Sequence, residues 1–232
     1  MITDLTLFFI ISYPSDNCFA QFGVGTNKSG QDLFPQFLQH TSGQNIVKPY
    51  LNSGLVAQQA GKPLIMFETN TASCGGFPGL SDSFGAALWG IDYALQMAYS
   101  NFSGALFHVG GQNVFYNPFT SPPTNQSTFH QWTIGPIYYS ALVVAETFGS
   151  SNQSRVLDLF ANNADVDTPA YAIYENGAPT RVALLNYMTD PSGASDYTVN
   201  LSGGGSNSVQ VKYLQAPSVR TKGGNITWAR LV

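Results

Sequence analysis

At 232 residues, with 44% hydrophobic and 13% aromatic content, the chain can bury one large core or two modest ones. Only 9% of residues are charged, so Ser, Thr, Asn, Gln and Gly must cover most of the surface, the texture of a folded secreted protein. A net charge of −4, with nine Lys and Arg spread thinly, offers no basic stripe and argues against nucleic acid or a membrane as partner.

The chain opens with MITDLTLFFIIS, whose apolar run covers 5–11. Asp4 stands where a signal peptide would carry Lys or Arg, so the run reads as a buried strand and gives no convincing signal peptide. Two further runs, PLIMF (63–67) and GALFHVG (104–110), follow with helix-length segments between them. That alternation predicts parallel β/α units. Pro35 and Pro49 limit the helices of the first connection to pieces. In the second, Phe84, Leu88, Ile91, Leu95 and Ala98 recur at helical spacing, with Ser81 or Ser83 as the cap. A last helix fits QWTIGPIYYSALVVAETFGS and stops at Gly149.

Near residue 151 the period changes to two. RVLDLFAN, AYAIYENGAPTRVALLNYM, DYTVNLSG and SVQVKYLQA are separated by turn residues, and Glu175-Asn176-Gly177-Ala178 signals a hairpin. The expected division is therefore residues 1–150, β/α units, and residues 151–232, an antiparallel β domain. Three β/α units cannot close a barrel, and about five short strands make an incomplete sandwich, so both parts read as truncated, with material expected before Met1 and after Val232.

The stretch KPLIMFETNTASCGG holds the first candidate for chemistry. A central strand rarely finishes on an acid, and the carboxyl ends of strands are where β/α barrels place catalytic groups, so Glu68 is either functional or a salt-bridging or capping acid. Cys18 and Cys74 form one disulfide or remain two buried thiols. No Cys-X-X-Cys occurs and His40, His108 and His130 stand apart, so no metal or other cofactor is expected. Asn-X-Ser/Thr sequons at Asn27, Asn101, Asn125, Asn152, Asn200 and Asn225 exceed the roughly two or three expected by chance and favour a glycosylated secretory product. Ser73 and Ser81 lack a Gly-X-Ser-X-Gly elbow, and Gly203-Gly204-Gly205 lacks the context of a phosphate loop. Trp89, Trp132 and Trp228 could stack on sugars, although aromatic residues on apolar faces are more often core.

The segment MFETNTASCGGFPGLSDSFGAALWGIDYALQMA, with HVGGQNVFYNPFTSPP and FHQWTIGPIYYSALV after it, resembles fungal members of glycoside hydrolase family 79, the β-glucuronidase and heparanase family. The likeness runs through most of residues 13–228 and is most specific from Phe67 to Trp89. It implies the C-terminal part of a (β/α)8 barrel followed by an antiparallel β-sandwich, and an exo-acting retaining glycosidase whose nucleophile falls on Glu68. Such an enzyme attacks the anomeric carbon with one carboxylate while a second carboxyl group, about 5 Å away, protonates the leaving oxygen and then activates water. The family draws that acid/base from an Asn-Glu pair upstream, and no such pair exists here; Glu146 follows Ala145 and Glu175 follows Tyr174. The chain alone is therefore expected to be inactive.

The resemblance also implies a site for the carboxylate of a β-glucuronide. Backbone N–H groups of Gly75, Gly76, Gly110 and Gly111 are candidate donors, unless these glycines only make tight turns. Tyr116 is the candidate hydroxyl, with Phe115 beside it. Relatives commonly carry His before the Tyr-Pro where this chain has Ser12, which suggests a misplaced start or exon boundary. Cys18 and Cys74 fall just beyond neighbouring strands, where a Cα separation within the roughly 4.4 to 6.8 Å that a bridge needs is attainable.

Overall fold

The computed structural model describes residues 6–111, 113–122, 131–188, 190, 192–200, 202 and 208–229. His130, Asn125 and the Gly203-Gly204-Gly205 run lie outside the described residues. Strands β1 (Phe8–Ile11), β2 (Leu64–Thr69) and β3 (Gly104–Phe107) form a three-stranded parallel sheet with β2 in the centre. β1 and β2 are joined by helices α1 (Cys18–Phe22), α2 (Gly30–Phe37), α3 (His40–Val47) and α4 (Leu51–Gln59), with a 3-10 turn at Lys48–Tyr50. The prolines divide this connection as expected: Pro35 lies inside α2, which ends two residues later, and Pro49 sits in the 3-10 turn.

Helix α5 (Phe84–Tyr99) joins β2 to β3 and is buried on nearly every side. Trp89, Tyr93 and Met97 pack into one core with Leu64 and Met66 of the parallel sheet. Leu88, Ile91 and Leu95 enter a second core with Tyr171, Ile173 and Leu185. The helix is thus the shared wall of both parts of the chain.

Its N-terminus is a correction to the sequence reading. Ser83 holds the N-cap position but donates its hydroxyl to Leu80 O at 2.6 Å, while Ser81 Oγ accepts from Phe77 N–H and pairs with Thr71 Oγ1. The Phe84 and Gly85 N–H groups donate instead to Thr221 O and Val219 O, at 2.7 and 2.8 Å. Carbonyls remote in sequence do the work assigned to a local serine.

After β3, short strands β4 (Phe119–Thr120) and β5 (Thr133–Ile134) pair, and helix α6 (Pro136–Phe148) follows with Gly149 as its cap. The helix starts later than Gln131 because Thr133 and Ile134 belong to β5 and Pro136 fits the first helical turn. Gly90 lets α6 approach α5: a Cβ there would lie 2.7 Å from Ser140 Oγ and 2.8 Å from Ile137 Cδ1.

The antiparallel part contains β6 (Arg155–Asp158), β7 (Ala170–Glu175) and β8 (Ala178–Leu184) in that order, and a pair made by β9 (Leu214–Gln215) and β10 (Thr227–Trp228). Asn176 and Gly177, with φ of 52° and 81°, turn the β7–β8 hairpin in the left-handed conformation that an Asn-Gly pair favours. Of the expected strands, DYTVNLSG forms no ladder among its described residues and SVQVKYLQA forms one only at Leu214 and Gln215. Residues 197–200 and 208–213 lie outside the strand ladders, and Val209, Val211 and Tyr213 are exposed.

A polar cluster crosses the seam between the two parts. His40 of α3 places Nδ1 2.9 Å from Asp92 of α5 and Nε2 2.9 Å from Asp158 of β6, all three being buried. Gln96 donates to Asp158, and the hydroxyls of Tyr171 and Tyr187 donate to Asp92. Among the described residues no helix is long and apolar enough to cross a membrane.

Candidate active site

The acid at the end of β2 is presented by a bulge. Pairing runs Ile10 to Met66 and then Ile11 to Glu68 on one side, and Met66 to Ala105 and then Thr69 to Phe107 on the other. Phe67 and Glu68 together oppose Leu106, which breaks the alternation of the strand. Met66 and Thr69 are both buried toward α5, where Thr69 Oγ1 lies 3.2 Å from Tyr93 OH. Glu68 pairs with Ile11 and so shares the opposite face with Phe9, Ile11, Phe67 and Leu106, all exposed.

Tyr13, just past β1, donates its hydroxyl to Glu68 Oε1 at 2.9 Å. Burial, and then the bond to Glu68, push the Tyr13 pKa far above its ordinary value, which keeps it a neutral donor. The other described acids in ion pairs are engaged elsewhere: Asp16 with Lys28, Asp82 with Lys222, Asp92 and Asp158 with His40, Glu146 with Lys212 and Glu175 with Arg181.

Beyond the strands, the loops after β1 and β2 continue side by side through a bridge between Asp16 and Ser73. Cys18 and Cys74 are joined there, with Cα atoms 5.0 Å apart. The next residues form a turn, Gly75 and Gly76 having φ of 88° and 73°. Asn17 Nδ2 donates to Gly76 O at 2.7 Å, and Phe115 N–H donates to Gly75 O at 2.8 Å, tying the turn to both neighbouring loops. At Gly76 a Cβ would lie 2.5 Å from Ser81 Oγ and 2.8 Å from Tyr116 Cδ1, so backbone angle and space both demand glycine.

The loop after β3 is held by Asn117, whose Oδ1 accepts from Gly110 N–H and whose Nδ2 donates to Gly110 O and Gly111 O. Tyr116 is buried, and its hydroxyl lies 2.9 Å from His108 Nδ1. Burial raises the Tyr116 pKa, the Gly75 N–H opposes that rise, and the Glu68 charge adds to it.

Of the residues singled out by sequence, Glu68, Gly75, Gly76 and Tyr116 thus come together, with Gly110 and Gly111 on the loop carrying Tyr116. Tyr13, Asn17, His108 and Asn117 carry no motif and emerge only from the fold; the Tyr-Pro after the first apolar run was the one available hint. Trp89 is core, stacked on Tyr93 with ring centroids 5.0 Å apart, whereas Trp132 is exposed and Trp228 donates to Glu146. No group of three His, Cys, Asp or Glu able to hold a metal occurs among the described residues. A cavity of about 530 Å³ between β3, α5 and α6 is lined by Met97, Phe107, Ile137 and Phe148 and also by Tyr116, but not by Glu68.

Residues 170–231 match the glycosyl hydrolase family 79 C-terminal beta domain. A β-glucuronidase of Aspergillus niger is 34% identical over 168 residues, covering 71% of this chain and 30% of that protein. A second, from Neurospora crassa, is 32% identical over 184 residues, covering 73% and 32%. The kinship is with glycoside hydrolase family 79. A solved structure, the 4-O-α-L-rhamnosyl-β-D-glucuronidase of Fusarium oxysporum 12S in complex with Rha-GlcA, superimposes with a TM-score of 0.68 at 21% identity. It covers 96% of this chain and 44% of its own, and this likeness bears on the fold. The chain therefore spans about a third of the curated family 79 relatives it matches.

Proposed function

We propose that the chain carries the nucleophile side of an exo-acting, retaining β-glucuronide hydrolase site, with Glu68 as the attacking carboxylate. The observation that carries this reading is the bulge that turns Glu68 onto the open sheet face, against the Tyr13 hydroxyl and next to the Gly75-Gly76 turn. In this reading β1, β2 and β3 are consecutive strands of a (β/α)8 barrel and the open face is its interior. Glu68 forms the bond to the anomeric carbon as the leaving oxygen departs with a proton from an acid, and water then cleaves the glycosyl ester. The Tyr13 hydroxyl donates to Glu68 Oε1 and so orients the carboxylate for attack. The Gly75-Gly76 and Gly110-Gly111 turns and the Tyr116 loop surround the sugar's own carboxylate. Similarity to two fungal β-glucuronidases supports the glucuronide as substrate class. Secretion and glycosylation belong to the same reading, since Asn27, Asn101, Asn152, Asn200 and Asn225 are all exposed and Cys18 is bonded to Cys74.

The test is Glu68→Gln in the protein as its cells produce it. Hydrolysis of an aryl β-glucuronide should fall at least 10³-fold, on the order expected for loss of a nucleophile, with ligand binding retained; undiminished hydrolysis would sink the assignment. A second reading, a glucuronide-binding protein without turnover, is favoured by the absence of an Asn-Glu pair. It predicts binding with no hydrolysis of either a dinitrophenyl or an alkyl glucuronide.

A further inference from the structure

Strict alternation along β2, starting from Leu64 and Met66, which are buried, would give the next inward position to Glu68 and turn Thr69 outward. The strand instead carries one extra residue between Met66, opposite Ala105, and Thr69, opposite Phe107. Beyond the bulge Ser12 N–H donates to Glu68 O and His108 N–H donates to Thr69 O. Thr69 thereby takes the inward position that alternation assigns to the acid.

That position is walled by aromatic rings. Tyr93 stacks on Trp89, and Phe107 meets both rings edge-on with centroids 6.3 Å away. Thr69 and Tyr93 are fully buried, and their hydroxyls share a hydrogen bond of 3.2 Å. Burial pushes the Tyr93 pKa far above its ordinary value, so the phenol stays neutral. A carboxylate brought there by a slip of one residue would lose its water among these rings, one of the costliest changes a core can suffer.

We propose that the Thr69–Tyr93 pair pins β2 in its bulged register, and that both are positioning residues which fix the face on which Glu68 emerges. A one-residue slip turns every side chain of a strand to the other face, so a pin at the residue after the acid decides the orientation of the acid itself. Asn70, also fully buried, donates to His108 O and extends the grip on the end of β2. What Glu68 does once aimed rests on the glucuronide reading above; the aim rests on the register.

The experiment compares Thr69→Val, Thr69→Ser and Tyr93→Phe with Ser140→Ala, which removes a different buried hydroxyl packed on α5, the donor to Ala87 O. One readout is the rate at which 2-deoxy-2-fluoro-β-D-glucuronyl fluoride labels Glu68, located by peptide mass spectrometry. The carboxylate displaces fluoride from the anomeric carbon, and fluoride leaves without a proton, so no second carboxyl group is needed. The other readout is amide exchange at Ser12 and His108, which reports the register whether or not a sugar reacts. Thr69→Val and Tyr93→Phe should each slow maximal labelling about 3- to 10-fold, the range for one neutral hydrogen bond, at an unchanged half-saturating concentration. Both should speed exchange at Ser12 and His108. Thr69→Ser, which keeps the hydroxyl, should recover most of the loss, and Ser140→Ala should match the wild type. Exchange unchanged in Thr69→Val and Tyr93→Phe overturns the proposal whatever the labelling does, as does an equal effect in Ser140→Ala. Wild-type protein that takes no label overturns the glucuronide reading, and exchange then decides the register on its own.

Discussion

His40 and Asp158 meet at 2.9 Å across the seam between the α/β and antiparallel parts, with Asp92 at the same distance on the other ring nitrogen. Burial alone would lower the His40 pKa, but its hydrogen bonds to Asp158 and Asp92 outweigh that effect and raise it from 6.5 to about 9. The stability this contributes is complete below 6.5 and is lost as pH rises through about 9. For Asp158, burial works against ionisation, yet His40, the Phe160 N–H and Gln96 hold its pKa below the ordinary 3.8. Its contribution is therefore present above 3.8 and disappears as pH falls through the lowered value. Melting temperature should peak between these limits and decline on both sides. His40→Leu strands two buried carboxylates and should cost about 3 to 5 kcal/mol near neutral pH while flattening the alkaline decline. An unchanged alkaline limb in that variant would show that another group carries it.

Removing the Tyr13 hydroxyl tests the partner of Glu68. Tyr13→Phe leaves the ring and deletes one hydrogen bond to a carboxylate, so hydrolysis of an aryl β-glucuronide should fall about 10- to 100-fold in kcat, with KM little changed. A proportional rise in KM at constant kcat would instead make Tyr13 a binding residue.

Glycines 76 and 61 offer a matched comparison. Both have positive φ, 73° and 63°, but a Cβ at Gly61 would meet nothing within 4 Å, whereas one at Gly76 meets Ser81 and Tyr116. Gly61→Ala should cost about 1 kcal/mol, the left-handed penalty alone. Gly76→Ala adds overpacking and should cost about 2 to 4 kcal/mol in urea titration while also shifting the Tyr116 environment.

The Cys18–Cys74 bond closes a loop with a sequence separation of 56. In the chain-entropy account such a loop stabilises by about 4 kcal/mol. Paired Cys18→Ser and Cys74→Ser replacement should lower the melting temperature accordingly. It should also loosen the Gly75-Gly76 turn, visible as faster amide exchange at Phe115, whose N–H bonds Gly75 O.

Much of the scaffold was legible because it depends on local pattern. The three apolar runs became the parallel strands, the helical spacing from Phe84 became α5, and Asn176-Gly177 made its hairpin. What escaped depends on tertiary context. The bulge at Phe67 and Glu68 leaves no mark on composition, so the acid could be located at a strand end but not assigned to a face. Tyr13, His108 and Asn117 are ordinary residues until loops from three strands converge. The run over 208–216 is the converse case: it alternates throughout, yet only Leu214 and Gln215 join a ladder, beside β10, because a ladder also needs a partner edge.

The carbonyls of Val219 and Thr221 that receive the first N–H groups of α5 have a further consequence for biogenesis. When α5 leaves the ribosome its acceptors have not been made, and its side carrying Leu88, Ile91 and Leu95 awaits Tyr171, Ile173 and Leu185 as well. The central helix of the molecule is therefore among the last elements to be completed, although it precedes most of the strands it contacts. During synthesis its apolar surface must be screened by transient collapse or by chaperones until the 218–223 segment folds back. Ribosomes stalled before residue 219 should accordingly present a chain in which α5 remains protease-sensitive, and release of the following residues should protect it together with the antiparallel sheet rather than before it.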